Sequence, residues 1–232
     1  MTKIKKVPYQ FANEVKDGKH VLTLSGLIRK RYWSDDKCID AALVRGALDE
    51  VTSEIVIYLN SEGGDVFQGI EIYNYLKNHP SKITVEVTGI AASAATFISS
   101  GADTVIMNTG TTLMIHEAST YAWGNKGDIQ KTLNKLEVVD ESIISVYAEK
   151  TGQSSEQIAR WMKEEKFFTA EEAVKYGFAD ATKAENQKQD TENMRSMIQE
   201  AVASAMVDYA AVKPAAEVSK KSLLNKLRKE VE

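Results

Sequence analysis

The sequence predicts an α/β fold, a sheet of short strands covered by helices. Three observations carry this. Short β-branched runs alternate along the chain with segments whose apolar residues recur at helical spacing. Glycine-containing turns, Asn60-Ser61-Glu62-Gly63-Gly64 and the stretch after Gly89, stand between a run and the next helical segment. The chain of 232 residues is 43% hydrophobic and 27% charged, so it buries a core without needing a staple.

The first strand is expected over His20–Ile28, where Val21, Thr23 and Ser25 alternate with Leu22 and Leu24. Arg29–Asp36 is polar and aromatic and reads as a loop. Ile39, Leu43, Ala47 and Leu48 share one face of a helix over Ile39–Val51. Glu54–Leu59 is the next strand, and Val66, Ile70, Tyr73 and Leu76 mark the helix after it. Ile83–Val87 is a strand, and Ala91–Ile98 is rich in small helix formers. Thr104–Met107 and Thr112–Ile115 are two more short strands. Ile129, Leu133, Leu136, Val139, Ile143, Val146 and Tyr147 then keep helical spacing up to Gly152, a C-terminal cap. Ser154-x-x-Gln157 and Thr169-x-x-Glu172 open two further helices as capping boxes, and Gly177 stops the second.

The composition changes after Asp180. Lys183–Glu192 is almost wholly polar and reads as a linker. Met194, Met197, Ile198, Ala201, Val202, Ala205, Met206 and Tyr209 form one apolar helical face. Lys213-Pro214-Ala215-Ala216 breaks it, and Leu223, Leu224, Leu227 and Val231 form a last amphipathic stretch. No segment here forms a sheet. The expected organisation is a domain over residues 1–183 and, over 184–232, a polar linker with an amphipathic helical tail.

Composition narrows the chemistry. The single cysteine, Cys38, rules out an intramolecular disulfide and a Cys-rich zinc site. Only His20, His79 and His116 are available for histidine chemistry, and a net charge of −4 argues against a broad basic nucleic-acid surface. Met1–Gly18 lacks the apolar stretch of a signal peptide, and no window is apolar for long enough to span a bilayer. The expectation is a cytoplasmic protein with neither a nucleic-acid nor a membrane partner, and no metal or other cofactor.

Two turns and one histidine stand out. In Ser61-Glu62-Gly63-Gly64-Asp65 the glycines either relieve backbone strain or leave amides free for a developing oxyanion. In Gly89-Ile90-Ala91-Ala92-Ser93-Ala94-Ala95, Ser93 is either a helix N-cap or a hydroxyl exposed at a strand end. The second geometry is that of a nucleophile elbow without its motif. His116, closing the apolar run Leu113-Met114-Ile115, is either a partly buried, hydrogen-bonded histidine or a general base. His20 and His79 read as surface or capping residues. Glu164 and Glu165 are either solvated charge or the source of an acid that orients the imidazole.

The motifs Tyr58-Leu59-Asn60-Ser61-x-Gly63-Gly64, Gly89-x-Ala91-Ala92-Ser93, Met114-Ile115-His116 and Thr151-Gly152-Gln153-Ser154 carry a resemblance, as does Phe167-x-Thr169-Ala170-x-Glu172-Ala173-x-x-Tyr176-Gly177. Together, in this order from about residue 20 to Ala181, they resemble ClpP, the proteolytic subunit of the Clp protease. The resemblance implies the ClpP/crotonase fold, a spiral of β-β-α units with outer helices. It implies a serine endopeptidase with Ser93 as nucleophile, His116 as base and the amides of Gly64 and Ala94 as oxyanion hole. The family's third residue is an aspartate; Glu165 stands there, with Glu164 the neighbouring candidate. Ala94 replaces a common methionine, which leaves a backbone-amide role intact.

The resemblance further implies polypeptide substrates bound as extended strands. It implies a homo-oligomer of heptameric rings, stacked in pairs through the region of Gly124–Gly127. The N-terminal segment does not match the family's axial gating loops. Arg31-Tyr32-Trp33 and the polar tail are closer to the ClpP-like proteases encoded near bacteriophage head genes. The partner is then a Clp ATPase or a phage capsid or scaffold protein. Three other readings stand beside this one: a crotonase-like acyl-CoA enzyme using the same amides, a Ser–Lys dyad, and a tail serving as a capsid scaffold or partner-binding module.

Overall fold

The computed structural model describes residues 6–212. The strands are β1 (Gln10–Lys16), β2 (Lys19–Ser25), β3 (Ile55–Ser61), β4 (Ile83–Ala92), β5 (Thr104–Met107), β6 (Thr112–Met114), β7 (Phe167–Thr169) and β8 (Ala181–Thr182). The helices are α1 (Ala41–Leu48), α2 (Val66–Lys77), α3 (Ala94–Ser100), α4 (Lys126–Thr151), α5 (Ser155–Lys163), α6 (Ala170–Lys175) and α7 (Lys183–Val212). The strand order is β1-β2-β3-β4-β5-β8, with β6 pairing β4 and β7 pairing β6. The pairs from β2 through β5, β5–β8 and β4–β6 are parallel; β1–β2 and β6–β7 are antiparallel.

The strands hold the core. Leu22, Leu24, Ile57, Leu59, Val85, Val87 and Met107 are fully buried between helices that contribute Val44, Leu48, Ile72, Phe97 and Ile98. Side chains capable of accepting from free amides set the helix starts. Asp40 accepts from Leu43 N for α1, Asp65 from Phe67 N and Gln68 N for α2, and Ser154 from Gln157 N for α5. Asn125 with Asp128 and Thr169 with Glu172 form full capping boxes. Each such cap contributes ~1 kcal/mol. Gly152 closes α4 in the left-handed region at φ 68°.

Several features depart from the sequence reading, among them β7 and β8, short strands in segments assigned none. β1 lies in a segment assigned no strand. Its alternation is weak because it is an exposed edge, but Asp17 (φ 52°) and Gly18 (φ 76°) form the two-residue turn that an Asp-Gly pair favours in hairpins. β4 continues through Gly89 to Ala92, so α3 starts at Ala94 rather than Ala91. Gly89 serves a close approach: a Cβ there would sit 2.5 Å from Asn60 Oδ1, which accepts from Ile90 N at 3.1 Å. The expected linker Lys183–Glu192 is instead the start of α7. Polarity keeps a segment out of a core but does not prevent a helix, and residues 183–212 contain neither glycine nor proline. Thr182 and Glu185 exchange capping bonds at its start, and Lys183 Nζ lies 2.7 Å from Glu86 Oε1.

The chain divides into two compact units between Glu185 and Asn186. Met194, Met197 and Ile198 of α7 are exposed. The expected helix break at Lys213–Ala216 and the last amphipathic stretch lie outside the described residues. Among the described residues, no helix is long and apolar enough to cross a membrane.

Candidate active site

Three parallel strands end side by side, and each delivers one part of a site. This is where α/β sheets place their ligands, beyond the carboxyl ends of the strands. β4 and β6 pair as Ile90↔Thr112, Ala91↔Leu113 and Ala92↔Met114. Ser93 and His116 therefore leave neighbouring strand ends. Ser93 N continues the ladder by donating to Met114 O at 2.9 Å. The Ser93 Oγ and His116 Nε2 atoms are 2.8 Å apart. With Nδ1 carrying the imidazole proton, Nε2 accepts from the hydroxyl and is placed to take its proton.

Ser93 does not cap α3. Its side chain makes no capping bond, and its backbone sits at φ 54°, ψ −127°. That conformation costs roughly 1–3 kcal/mol and persists only where surroundings impose it. It lifts the hydroxyl off the end of β4 in the manner of a nucleophile elbow. The peptide that follows is trans, so its carbonyl and its N–H point in opposite directions. The Ser93 carbonyl accepts from Thr96 N at 2.9 Å and from Thr96 Oγ1 at 2.5 Å. The Ala94 N–H is thereby aimed the other way, and as the first helical amide it has no partner within α3.

The end of β3 supplies the second amide. Ile28 N donates to Gly63 O at 2.9 Å, and Asp65 N donates to Ile28 O at 2.8 Å. These two bonds flank Gly64 and turn its own N–H to the opposite side, unpaired among the described residues. Both glycines are sterically required. A Cβ on Gly64 (φ 144°) would lie 2.0 Å from Ile28 O. One on Gly63 (φ 91°) would lie 2.5 Å from Ala92 O and 2.7 Å from Ser93 Cβ. Buried Ser61 braces the turn, donating to Gly26 O at 2.6 Å and accepting from Gly63 N at 3.0 Å.

The carboxylates are less closely engaged. β6 and β7 pair Met114 with Phe167, and Ile115 N donates to Lys166 O at 3.2 Å. The same register carried one step further sets Glu165 across from His116. Glu164 and Glu165 are nonetheless exposed, and among the described residues neither carboxylate hydrogen-bonds the imidazole. The structure thus brings Ser93, His116 and the two turns together, and brings only the backbone of Glu165 alongside. His20 and His79 are remote in register: His20 is the second residue of β2, near the amino ends of the parallel strands, and His79 follows α2.

Three residues that sequence reasoning left out of the site support it. Asp140 Oδ1 on α4 accepts from Ala118 N at 2.7 Å, holding the segment just after His116. Thr96 holds the Ser93 carbonyl. Tyr147 OH lies 2.5 Å from Thr96 Oγ1, and burial pushes its phenol pKa upward. Tyr147 read as one more apolar helix position, and a lone Thr in an Ala-rich segment carries no signal.

Known proteins agree with these motifs. A family model described as Clp protease matches residues 33–186. The ATP-dependent Clp protease proteolytic subunit of Pleurastrum terricola is 32% identical over 136 residues, covering 58% of this chain and 69% of that protein. Proteolytic subunit 1 of Streptomyces avermitilis is 32% identical over 142 residues, covering 60% of this chain and 65% of its own length. Proteolytic subunit 3 of Streptomyces coelicolor is 34% identical over 142 residues, covering 60% of this chain and 64% of its own length. The chain spans about two-thirds of the length of these relatives.

Proposed function

The chain belongs to the Clp protease family, whose members are serine peptidases and whose α/β fold it shares; on that premise we propose that it is an endopeptidase in which Ser93 is the nucleophile and His116 the general base. The observation that carries this reading is the 2.8 Å contact between Ser93 Oγ and His116 Nε2 at a strained strand end. Ser93 Oγ attacks the peptide carbonyl carbon while its proton passes to Nε2. The tetrahedral oxyanion takes the N–H groups of Gly64 and Ala94, donors that typically contribute ~10²–10³ each in turnover. Collapse of the intermediate passes the proton from His116 to the leaving amine. Water, activated by the same imidazole, then releases the acyl group.

Glu165 is the third member in this reading, orienting the imidazole and stabilising its charged form. Its support is the strand register. Hydrogen bonds of unliganded sites are often long and tighten only when substrate binds. A Ser–Lys dyad has no support here, because Ser93 Oγ meets no lysine among the described residues.

Peptide-hydrolysis assays and fluorophosphonate labelling of the wild type, Ser93→Ala and His116→Ala test the assignment. Both signals are expected to vanish in Ser93→Ala; labelling that persists there overturns it. The reading extends to extended polypeptide substrates, which add main-chain bonds along a sheet edge. It also extends to closed rings of identical subunits, heptameric and stacked in pairs, which native mass measurement reads directly. For partners, the reading offers a Clp ATPase or a phage capsid or scaffold protein. Folded-protein turnover only with the ATPase supports the first, and cleavage of capsid or scaffold protein without ATP the second.

A further inference from the structure

The cavity beside Ser93 is small, about 40 Å³. For scale, an apolar cavity of ~150 Å³ takes a benzene ring. Ser93, His116 and the segment just after it, including Glu117 and Ser119, border it, and Val66, Phe97, Ile143 and Tyr147 supply apolar lining from α2, α3 and α4. The leaving nitrogen takes the His116 side, because Nε2 must protonate it. The apolar lining is left for the side chain of the residue whose carbonyl is attacked. Tyr147 limits that space.

The tyrosine is pinned on three sides. Its ring packs on Phe97 at 5.5 Å between centroids and meets Phe178 edge-on at 5.8 Å. Its hydroxyl meets Thr96 Oγ1, which spends its one proton on the Ser93 carbonyl. Tyr147 must therefore donate to Thr96. Thr96 is fully buried and Tyr147 is 1% exposed. Swinging the ring aside would leave the buried Tyr147 hydroxyl unpaired and strip Thr96 Oγ1 of the donor it accepts from, so the pocket does not open by a rotamer change.

We propose that Tyr147 is a specificity-determining residue that restricts the acyl-side position of the substrate to glycine, alanine or serine. The inference rests on the serine-endopeptidase reading and goes beyond it by naming the substrate class. Hydrophobic pockets discriminate by about 10–200-fold per methylene gained or lost.

The test uses the full chain and four fluorogenic peptides that differ only at the attacked residue: Ala, Ser, Leu or Phe. Wild-type kcat/KM is expected to favour Ala and Ser over Leu and Phe by at least ~10-fold. Tyr147→Ala is expected to raise the Leu-to-Ala ratio by ~10-fold or more, and Ile143→Ala to raise it in the same direction. A ratio is insensitive to the fraction of folded enzyme, and Ile143→Ala serves where Tyr147→Ala does not fold. If Ser93 labels with a fluorophosphonate but the wild type cleaves Leu or Phe peptides as fast as Ala, the inference falls and the peptidase reading stands. If Ser93 neither labels nor supports cleavage of any peptide, the reading falls and the inference with it.

Discussion

Ser93 and Glu165 have nearly the same φ, 54° and 49°, on the positive side that residues other than glycine seldom adopt. They reach it for different reasons. At Glu165 the cause is local. Glu165 N donates to Met162 O and Lys166 N donates to Trp161 O, the paired bonds of a Schellman motif that closes α5. Such a position usually carries glycine, and its side chain points to water. At Ser93 the cause is long-range. Met114 O, Thr96, His116 and the Cβ-free Gly63 all meet at this residue from different elements. A strained torsion thus marks a site only when distant parts of the chain enforce it. At Glu165 the strain is evidence about a helix end, and the register opposite His116 is the separate evidence about catalysis.

The sharpest way to test the contrast is to give both positions glycine. Under the proposed mechanism, Ser93→Gly is expected to lower kcat/KM by at least ~10⁴-fold, because it removes the attacking hydroxyl. It should also raise unfolding stability by ~1 kcal/mol as the strain is relieved, read by denaturant melts beside the peptide assay. A melt that moves the other way would show that the strain is not what the hydroxyl costs. Glu165→Gln separates the two causes at the second turn. As triad acid, its loss should lower kcat/KM by ~10²–10⁴-fold with the denaturation midpoint unchanged, while Glu164→Gln stays within about twofold of wild type. The reverse pattern moves the role to Glu164.

Smaller effects probe the supports. Gly63→Ala should destabilise the fold by roughly 2–4 kcal/mol, since its Cβ meets backbone at 2.5 Å on a positive-φ residue; an unchanged melt would show that the two turns are not in fixed contact. Thr96→Val should cost about 1–3 kcal/mol by leaving the Tyr147 hydroxyl unpaired. It should also lower kcat about tenfold by removing one of the two bonds that hold the Ser93 carbonyl, a loss smaller than that of a direct oxyanion donor. A kcat equal to wild type would remove Thr96 from the positioning of Ala94. Glu165→Gly should give a gain of ~1 kcal/mol in the same melts from a relaxed helix end. No gain there would mean that the torsion is not strained at all.

Much of the fold is legible in the sequence because local physics repeats itself. The strand runs Glu54–Leu59 and Thr104–Met107, the α4 face from Ile129 to Tyr147, and the caps at Ser154, Thr169 and Gly152 are all local patterns that the structure keeps. What escaped was weakly patterned or misleadingly polar. β1 is an edge with few apolar residues, β8 has two residues, and the start of α7 is a helix with no face to bury. In the site, Ser93 and His116 were nameable because a glycine turn and an apolar run bracket them. Asp140, Thr96 and Tyr147 were not, because each acts through a partner at least three and up to fifty-one residues away along the chain.

The sequence by itself determined the alternation of strands and helices and the family, and it named Ser93 and His116 as candidates, since these rest on local periodicity and on short motifs. Only the tertiary structure decided that Ser93 is held strained rather than used as a cap, that two amides are turned free, and that a tyrosine from α4 bounds the pocket. Those outcomes depend on strands β3, β4 and β6 ending side by side. Sheet register brings together residues whose spacing along the chain carries no trace of the contact.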